Sequence, residues 1–236
     1  MAAHLSPTAL LAAVALLIGI ATCRDTTEGV RTQFFGTYAF TTTERRVIAR
    51  IAGEAGREVR TLLPALAPQI TLRVRSGTDV IPELGAIGTA LAPDTVVWTV
   101  DPNRPEGVVK IAGQYLRQAL FHEFHHLVRA TALPQRTLMD QVIFEGMATA
   151  FERDFAGAEP PWGQYPENVD AWVDELLLMR PETQPTDWAA FERDDRRRLR
   201  YRAGTYLVDQ AMKRLHRSSA ELVSTPTAEI LKAARP

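Results

Sequence analysis

The stretch from residue 120 to 129 carries the residues best suited to chemistry, because it contains the pattern His-Glu-x-x-His at His122, Glu123 and His126. On a helix, residues four apart lie on one face, about one turn from each other. Two imidazoles placed in this way can bind one zinc ion, and the glutamate beside the first imidazole can reach a water molecule on that ion. We therefore predict that His122 and His126 are metal ligands and that Glu123 acts as the catalytic base.

A third ligand is predicted at Glu145, nineteen residues after His126. Glu145 stands in the most apolar part of a predicted helix, where a carboxylate is costly to bury unless it is paired or bound to a metal. Gly146 removes side-chain bulk beside the carboxylate and would permit the close approach of another helix. The alternative is that Glu145 is a solvated or salt-bridged residue. Glu152 lies one residue beyond the apolar run, and we expect it to be solvated.

Two histidines and one glutamate leave the fourth position of a zinc ion open to water. Zinc lowers the pKa of that water, so Glu123 can take its proton as the water attacks a carbonyl and can later deliver it to a leaving amine. This chemistry is amide hydrolysis. A side chain on a late helix can stabilise the oxyanion, and the candidates are Tyr201, Tyr206, Arg202 and His216. Of these we select Tyr201 as the catalytic residue, and the alternative is that Tyr201 is a core or interface tyrosine.

The neighbouring His125 is a different case, because it lies about 100° around the helix from His126. We expect it to contact the metal ligands without binding the metal itself, or to pack in the core. A carboxylate or carbonyl group should accept a hydrogen bond from each ligand imidazole. By position, Asp140 and Thr149 are candidates for that role.

These residues are placed by two predicted helices, one from Val108 to about Ala130 and one from about Thr137 to Phe155. Upstream, a capping box at Thr41 to Glu44 predicts a helix to about Leu66. Two strands, Ile70 to Arg75 and Thr95 to Val100, predict a small antiparallel sheet that could bind an extended peptide at its edge. The fold class is therefore α+β and mostly helical, with the sheet ahead of the motif helix.

Further helical patterns follow the second helix. One ends at Pro181, a shorter one is capped at Thr186-Asp187, and an amphipathic one runs from Tyr201 to about His216. The densely charged stretch from Arg193 to Arg202 is interpreted as a solvated helix surface.

The N-terminal segment is predicted to direct export. Residues 9–21 form an apolar run of signal-peptide length, and Cys23, the only cysteine, follows it in a context similar to a lipoprotein signal. Ordinary cleavage near Cys23, or an uncleaved anchor, is the alternative. We divide the chain into a signal at 1–23, an extended lead-in at 24–40 and one catalytic domain at 41–236. We therefore expect a location in the cell envelope or outside the cell, with possible membrane attachment through a lipidated Cys23.

The composition narrows the kinds of partner and of zinc site that the chain can have. A formal net charge of -1 gives no reason to expect a nucleic acid as partner. With a single cysteine, no disulfide can form within the chain, and a structural zinc site built from several cysteines is excluded.

The motif residues resemble a known family. The pattern His-Glu-x-x-His followed by Glu145 is similar to the gluzincin arrangement of metallopeptidases. More closely, His122–Arg129, Glu145–Phe151 and the late segment Tyr201–Tyr206 resemble a bacterial family of predicted zinc-dependent proteases, the domain of unknown function DUF2268. The resemblance implies a zincin-like fold, zinc as cofactor, the three predicted ligands, Glu123 as base, and a peptide or protein substrate.

Of three rival functions, an interaction module that uses the arginine-rich segment is not supported by the near-neutral net charge, and two stay open. The first is a non-catalytic binding or chaperone-like envelope protein that keeps zinc for structure, although such a site has no need of Glu123. The second is a zinc hydrolase that cleaves another amide or an ester.

Overall fold

The computed structural model describes residues 26–27, 29–179 and 198–235. The predicted signal segment with Cys23, the cap at Thr186-Asp187 and the first half of the charged stretch lie outside the described residues. Among the described helices, none combines the length and the apolar character that a membrane span requires. The fold is α+β and mostly helical, which confirms the predicted fold class.

Within the described chain, five strands form one mixed sheet in the order β1-β2-β3-β5-β4. The strands are β1 (Thr26–Thr27), β2 (Val30–Phe35), β3 (Ile70–Ser76), β4 (Ala86–Leu91) and β5 (Thr95–Val100). The prediction of an antiparallel pair was wrong, because β3 and β5 run parallel. Strand β4, which was not predicted, lies between the two predicted strands and reverses the chain once more, so that β5 returns in the direction of β3 and pairs antiparallel with β4.

The helices in the described ranges follow the predicted order. They are α1 (Thr42–Leu62), α2 (Gly107–Ile111), α3 (Arg117–Ala132), α4 (Leu138–Ala156), α5 (Val169–Leu178), α6 (Leu199–Leu215) and α7 (Thr227–Ala234). The capping box of α1 is confirmed, since the Glu44 backbone N–H donates to Thr41 Oγ1 and the Thr41 backbone N–H donates to Glu44 Oε2. A π-helical turn, Ala112–Leu116, joins α2 to α3. The three segments together form the continuous motif helix that was predicted, with one turn wider than the rest.

Two apolar cores hold these elements. The first joins the sheet with α1 and α3, and it contains Trp98, Phe121 and Phe124. The second joins α4, α5, α6 and α7 around Val142, Met147 and Leu207. Helix α3 packs against the sheet and against α4, so the motif helix lies between the two cores and its histidines are held on a rigid element.

Candidate metal centre

The predicted ligands converge at one point between α3 and α4. The Glu145 Oε2 atom lies 3.4 Å from His122 Nε2 and 3.2 Å from His126 Nε2. The two imidazole rings are perpendicular, with centroids 4.6 Å apart. One ligand atom from each of the three residues lies within 4.8 Å of the other two. The helical spacing of four residues thus puts both histidines on the face of α3 that meets Glu145.

This donor set fits zinc. Two imidazole nitrogens and a carboxylate oxygen are ligands that zinc takes, at bond lengths of about 2.0–2.1 Å. Tetrahedral bonds of that length separate the ligand atoms by about 3.3 Å. The two nitrogen–oxygen distances of 3.2 and 3.4 Å match this separation. The residues that the structure brings together therefore suit a three-ligand zinc site.

Glu152 contacts the ring nitrogen of His122 that does not face Glu145. The His122 Nδ1 lies 3.1 Å from Glu152 Oε2, and Glu152 is 1% exposed. The prediction that Glu152 is solvated was wrong: it lies seven residues after Glu145, so two helical turns return it to the face that meets α3. A hydrogen bond donated by Nδ1–H to Glu152 leaves the Nε2 lone pair free for a metal.

Asp140 and Thr149, which were predicted to accept a hydrogen bond from a ligand imidazole, do not do so. Asp140 forms the capping box of α4 with Thr137, and the Thr149 hydroxyl is buried without a hydrogen-bond partner in the described part of the chain. The second ligand, His126, is positioned differently, because its ring stacks on Phe144 with the centroids 3.9 Å apart.

Burial and charge set the protonation of the ligands. Burial alone would lower the pKa of His122, but the hydrogen bonds with Glu145 and Glu152 outweigh it and raise that pKa to about 10. Burial alone would raise the pKa of Glu145, but the charge of His126 and the hydrogen bonds from both imidazoles hold it well below its usual value. Without a metal, the site is therefore an imidazolium–carboxylate cluster, and a metal must displace a proton to bind.

The predicted base Glu123 lies against the edge strand β4. A Cβ atom on Gly88 would lie 2.7 Å from Glu123 Oε1, so the glycine provides the space that the carboxylate occupies. Burial and the charge of Glu145 raise the pKa of Glu123, against the opposing effect of His122 and His126. A carboxylate with a raised pKa is a better proton acceptor near neutral pH.

Tyr201 reaches the same cleft from α6. Its ring centroid lies 6.3 Å from that of His122. Burial and the charge of Glu145 raise the pKa of Tyr201, so the phenol keeps its proton and can donate a hydrogen bond. Tyr206 instead donates to Asp170 Oδ1 at 2.6 Å. His216 ends α6, about 22 Å further along the helix axis.

Two glycines allow α6 to approach the ligands. A Cβ atom on Gly146 would overlap the carbonyl group of Gly204, and a Cβ atom on Gly204 would overlap the carbonyl oxygen of Val142. The predicted role of Gly146 in close helix packing is thus confirmed. Its partner Gly204 lies one turn after Tyr201, so the same crossing of α4 and α6 places Tyr201 beside the metal centre.

The other face of α3 joins the motif to the C-terminal segment. His125 is fully buried near Phe151, and its burial lowers its pKa well below the usual value. It therefore packs in the core as a neutral ring, which is one of the two roles predicted for it. Arg129, which no sequence pattern singled out, is 2% exposed. It donates to the carbonyl oxygens of Val223 and Thr225 at 2.9 and 3.0 Å.

Comparison with known proteins agrees with this site. A family model described as predicted Zn-dependent protease (DUF2268) matches residues 48–232. The match covers α3, α4 and α6, and therefore all the residues described above. A search of curated proteins found no match.

Proposed function

Because the chain belongs to the family of predicted Zn-dependent proteases, we propose that it is a zinc metallopeptidase that hydrolyses amide bonds in a peptide or protein. One observation carries the proposal. Three donor atoms from His122, His126 and Glu145 converge in a geometry suited to zinc, and the Glu123 carboxylate lies beside them in an open cleft.

Zinc would be held by His122 Nε2, His126 Nε2 and the Glu145 carboxylate. When bound, it would polarise the substrate carbonyl and lower the pKa of the attacking water. Glu152 would keep the His122 ring in the tautomer that presents Nε2, and the Phe144 ring would keep His126 in place. The chain thus supplies three ligands and leaves the fourth position for the reaction.

Glu123 would act as the general base and then as the general acid. It follows His122 directly in the chain and lines the same cleft. With its pKa raised by burial, the carboxylate can accept a proton from the attacking water and deliver it to the leaving amine. Tyr201 would donate its phenolic hydrogen to the substrate oxygen on which negative charge develops.

The edge strand β4 would align the substrate. In the described sheet β4 lies at one end and pairs along its length with β5. On its other side Ala86 bridges to Ile81 and the Ala90 backbone hydrogen-bonds the Glu123 carboxylate, so an extended peptide would pair with the stretch between them. Gly88, at the centre of β4, lies against Glu123. A peptide added at this edge would therefore run past the catalytic base.

A purely structural zinc site is the alternative, and the arrangement disfavours it. Structural zinc sites have four protein ligands, whereas the cluster among the described residues has three. It also has a buried carboxylate, Glu123, that no structural role requires. For location we propose export, on the strength of the apolar run at residues 9–21, with Cys23 as a possible lipid attachment site.

The test compares the wild type with Glu123→Gln. Both proteins should bind one zinc ion by metal analysis, and only the wild type should cleave a peptide library in a reaction that a chelator stops. If the wild type binds zinc and cleaves nothing, the structural alternative is favoured. If it binds no zinc after reconstitution, the proposal fails.

A further inference from the structure

We propose that the cleft beside the metal centre selects peptides with a large apolar side chain next to the scissile bond and a carboxylate close to it, through Trp162 and Arg198. This inference rests on the proposed peptidase function and specifies its substrate class. It depends on three features of the cleft: its apolar wall, the position of Arg198 and the charge of its mouth.

The apolar wall faces the catalytic groups directly. A cavity of about 100 Å³ is lined by His122 and Glu123 and also by apolar side chains. These are Ile81, Leu84, Ile87, Trp98, Tyr115 and Trp162. One buried water needs roughly 10–15 Å³ by this measure, so the cavity has room for several waters or for a substrate side chain. An apolar wall of this kind favours a large apolar group.

Arg198 introduces a positive charge into this cavity. Its guanidinium lies over the Trp162 ring, 4.8 Å from the ring centroid, and both residues line the cavity. Among the described residues, no carboxylate forms a salt bridge with Arg198. A planar guanidinium held on an aromatic face is suited to bind a carboxylate through two hydrogen bonds.

The backbone of Arg198 supports the same role. Its φ of 61° lies in the left-handed region, which residues other than glycine seldom adopt and which often marks functional sites. This conformation caps the start of α6, three residues before Tyr201. Arg198 and Tyr201 are thereby presented to one cavity from a single helix end.

The mouth of the cleft continues the positive charge. A second cavity, of about 180 Å³, shares Ile81, Leu84, Trp162 and Arg198 with the first, and Arg202 and Glu83 also line it. Of the described residues that line this mouth, Arg198 and Arg202 are positive and Glu83 is negative, so their sum is a net positive charge. A substrate carboxylate would therefore be attracted here and a lysine or arginine side chain repelled. The carboxylate can be the C-terminus of a peptide or an Asp or Glu side chain.

The test uses matched peptides built on a sequence that the zinc-loaded enzyme cleaves in a library. One pair has Glu or Gln beside the large apolar residue, and a second, shorter pair has a free or an amidated C-terminus there. We expect kcat/KM to be about tenfold or more higher for the carboxylate member of at least one pair. The pair that responds identifies the source of the carboxylate.

The variants assign this preference to residues. Arg198→Asn removes the charge with a residue that tolerates the left-handed backbone, and it should bring the carboxylate-to-amide ratio close to one. Arg57→Gln, which removes an exposed arginine of α1 outside the cleft, should keep the wild-type ratio. Trp162→Ala should reduce cleavage of peptides with a large apolar residue more than cleavage of peptides with alanine there.

A binding measurement gives a second readout. Calorimetry with the zinc-loaded Glu123→Gln protein should show tighter binding of the carboxylate peptide, weakened by salt and by an added Arg198→Asn change. If Arg198→Asn does not fold by circular dichroism, Arg198→Lys replaces it, because it keeps the charge but loses the two-point contact.

The outcomes separate this inference from the proposed function. Zinc-dependent cleavage with no preference for a carboxylate overturns the inference and leaves the peptidase intact. A preference that survives the Arg198 change overturns the role of Arg198. A zinc-loaded wild type that cleaves nothing in the library overturns both.

Discussion

His122 lies between two carboxylates of one helix: Glu145 Oε2 is 3.4 Å from its Nε2, and Glu152 Oε2 is 3.1 Å from its Nδ1. Seven residues separate Glu145 and Glu152 on α4, which is close to two helical turns. The same helix face therefore supplies both a predicted metal ligand and a carboxylate that contacts the neighbouring predicted ligand. Glu152 thus belongs to the candidate metal centre through its contact with the His122 ring.

We therefore expect Glu152→Gln to weaken zinc binding by roughly 10–100-fold, because an amide oxygen accepts the Nδ1 hydrogen bond less strongly than a carboxylate. Competition with a chromogenic chelator measures the affinity. The control is Glu159→Gln, at an exposed position just beyond the end of α4. Equal zinc affinity for Glu152→Gln and the wild type would contradict the role given to Glu152.

Tyr201→Phe should lower kcat by about 10²-fold or more, as expected when one donor to a developing oxyanion is removed, and should change KM and zinc content little. The matched control is Tyr206→Phe on the same helix, since Tyr206 contacts Asp170 away from the cleft. Steady-state kinetics on a cleaved peptide measures both variants. Equal losses in the two variants would assign the effect to packing of α6 instead.

Zinc binding should release protons at neutral pH. In the metal-free protein the pKa of His122 is raised to about 10, so the imidazolium must lose its proton before Nε2 can bind zinc. Calorimetry of zinc binding in buffers of different ionisation enthalpy counts the protons released, and zinc affinity should fall as the pH falls. Binding enthalpies that do not depend on the buffer would contradict this protonation state.

The same raised pKa predicts how pH affects the metal-free protein. The protonated His122 stabilises the folded protein. This contribution is fully present below the unfolded-state pKa of about 6.5 and is lost as the pH rises through the folded-state pKa of about 10. The free energy of unfolding without zinc should therefore decrease between pH 7 and 10. Urea denaturation at both pH values measures it, and an increase over this range would be the opposite result.

Gly146→Ala should destabilise the protein by about 2 kcal/mol or more, because the added methyl group overlaps the backbone of Gly204 and forces α4 and α6 apart. It should also reduce activity through the displacement of Tyr201. In Gly113→Ala the added methyl meets no atom within 4 Å, so this control should not be destabilised by overlap. Thermal unfolding compares the two, and equal midpoints would show that the crossing tolerates the methyl group.

The parts of the site that follow helical spacing were accessible from the sequence. His122 and His126 are four residues apart on a continuous helix, and Glu145 was recognisable as a carboxylate in an apolar helix next to a glycine. Glu152 was missed because the apolar run was followed instead of the seven-residue spacing from Glu145, which does predict its orientation. That spacing was a usable local signal.

Features that depend on contacts between distant segments had no such signal. Strand β4 has a glycine and few large apolar residues, as suits an edge strand, and its omission led to the wrong direction for β5. The buried Arg129 resembles a surface residue in sequence, since its partners are backbone carbonyls nearly a hundred residues away.

The central claim is that zinc is bound by His122, His126 and Glu145. The most direct measurement is anomalous diffraction above and below the zinc absorption edge from crystals of the zinc-loaded protein. We predict one strong peak within about 2.0–2.2 Å of His122 Nε2, His126 Nε2 and the Glu145 carboxylate. A peak on other residues, or no peak in protein reconstituted with zinc, would contradict the account.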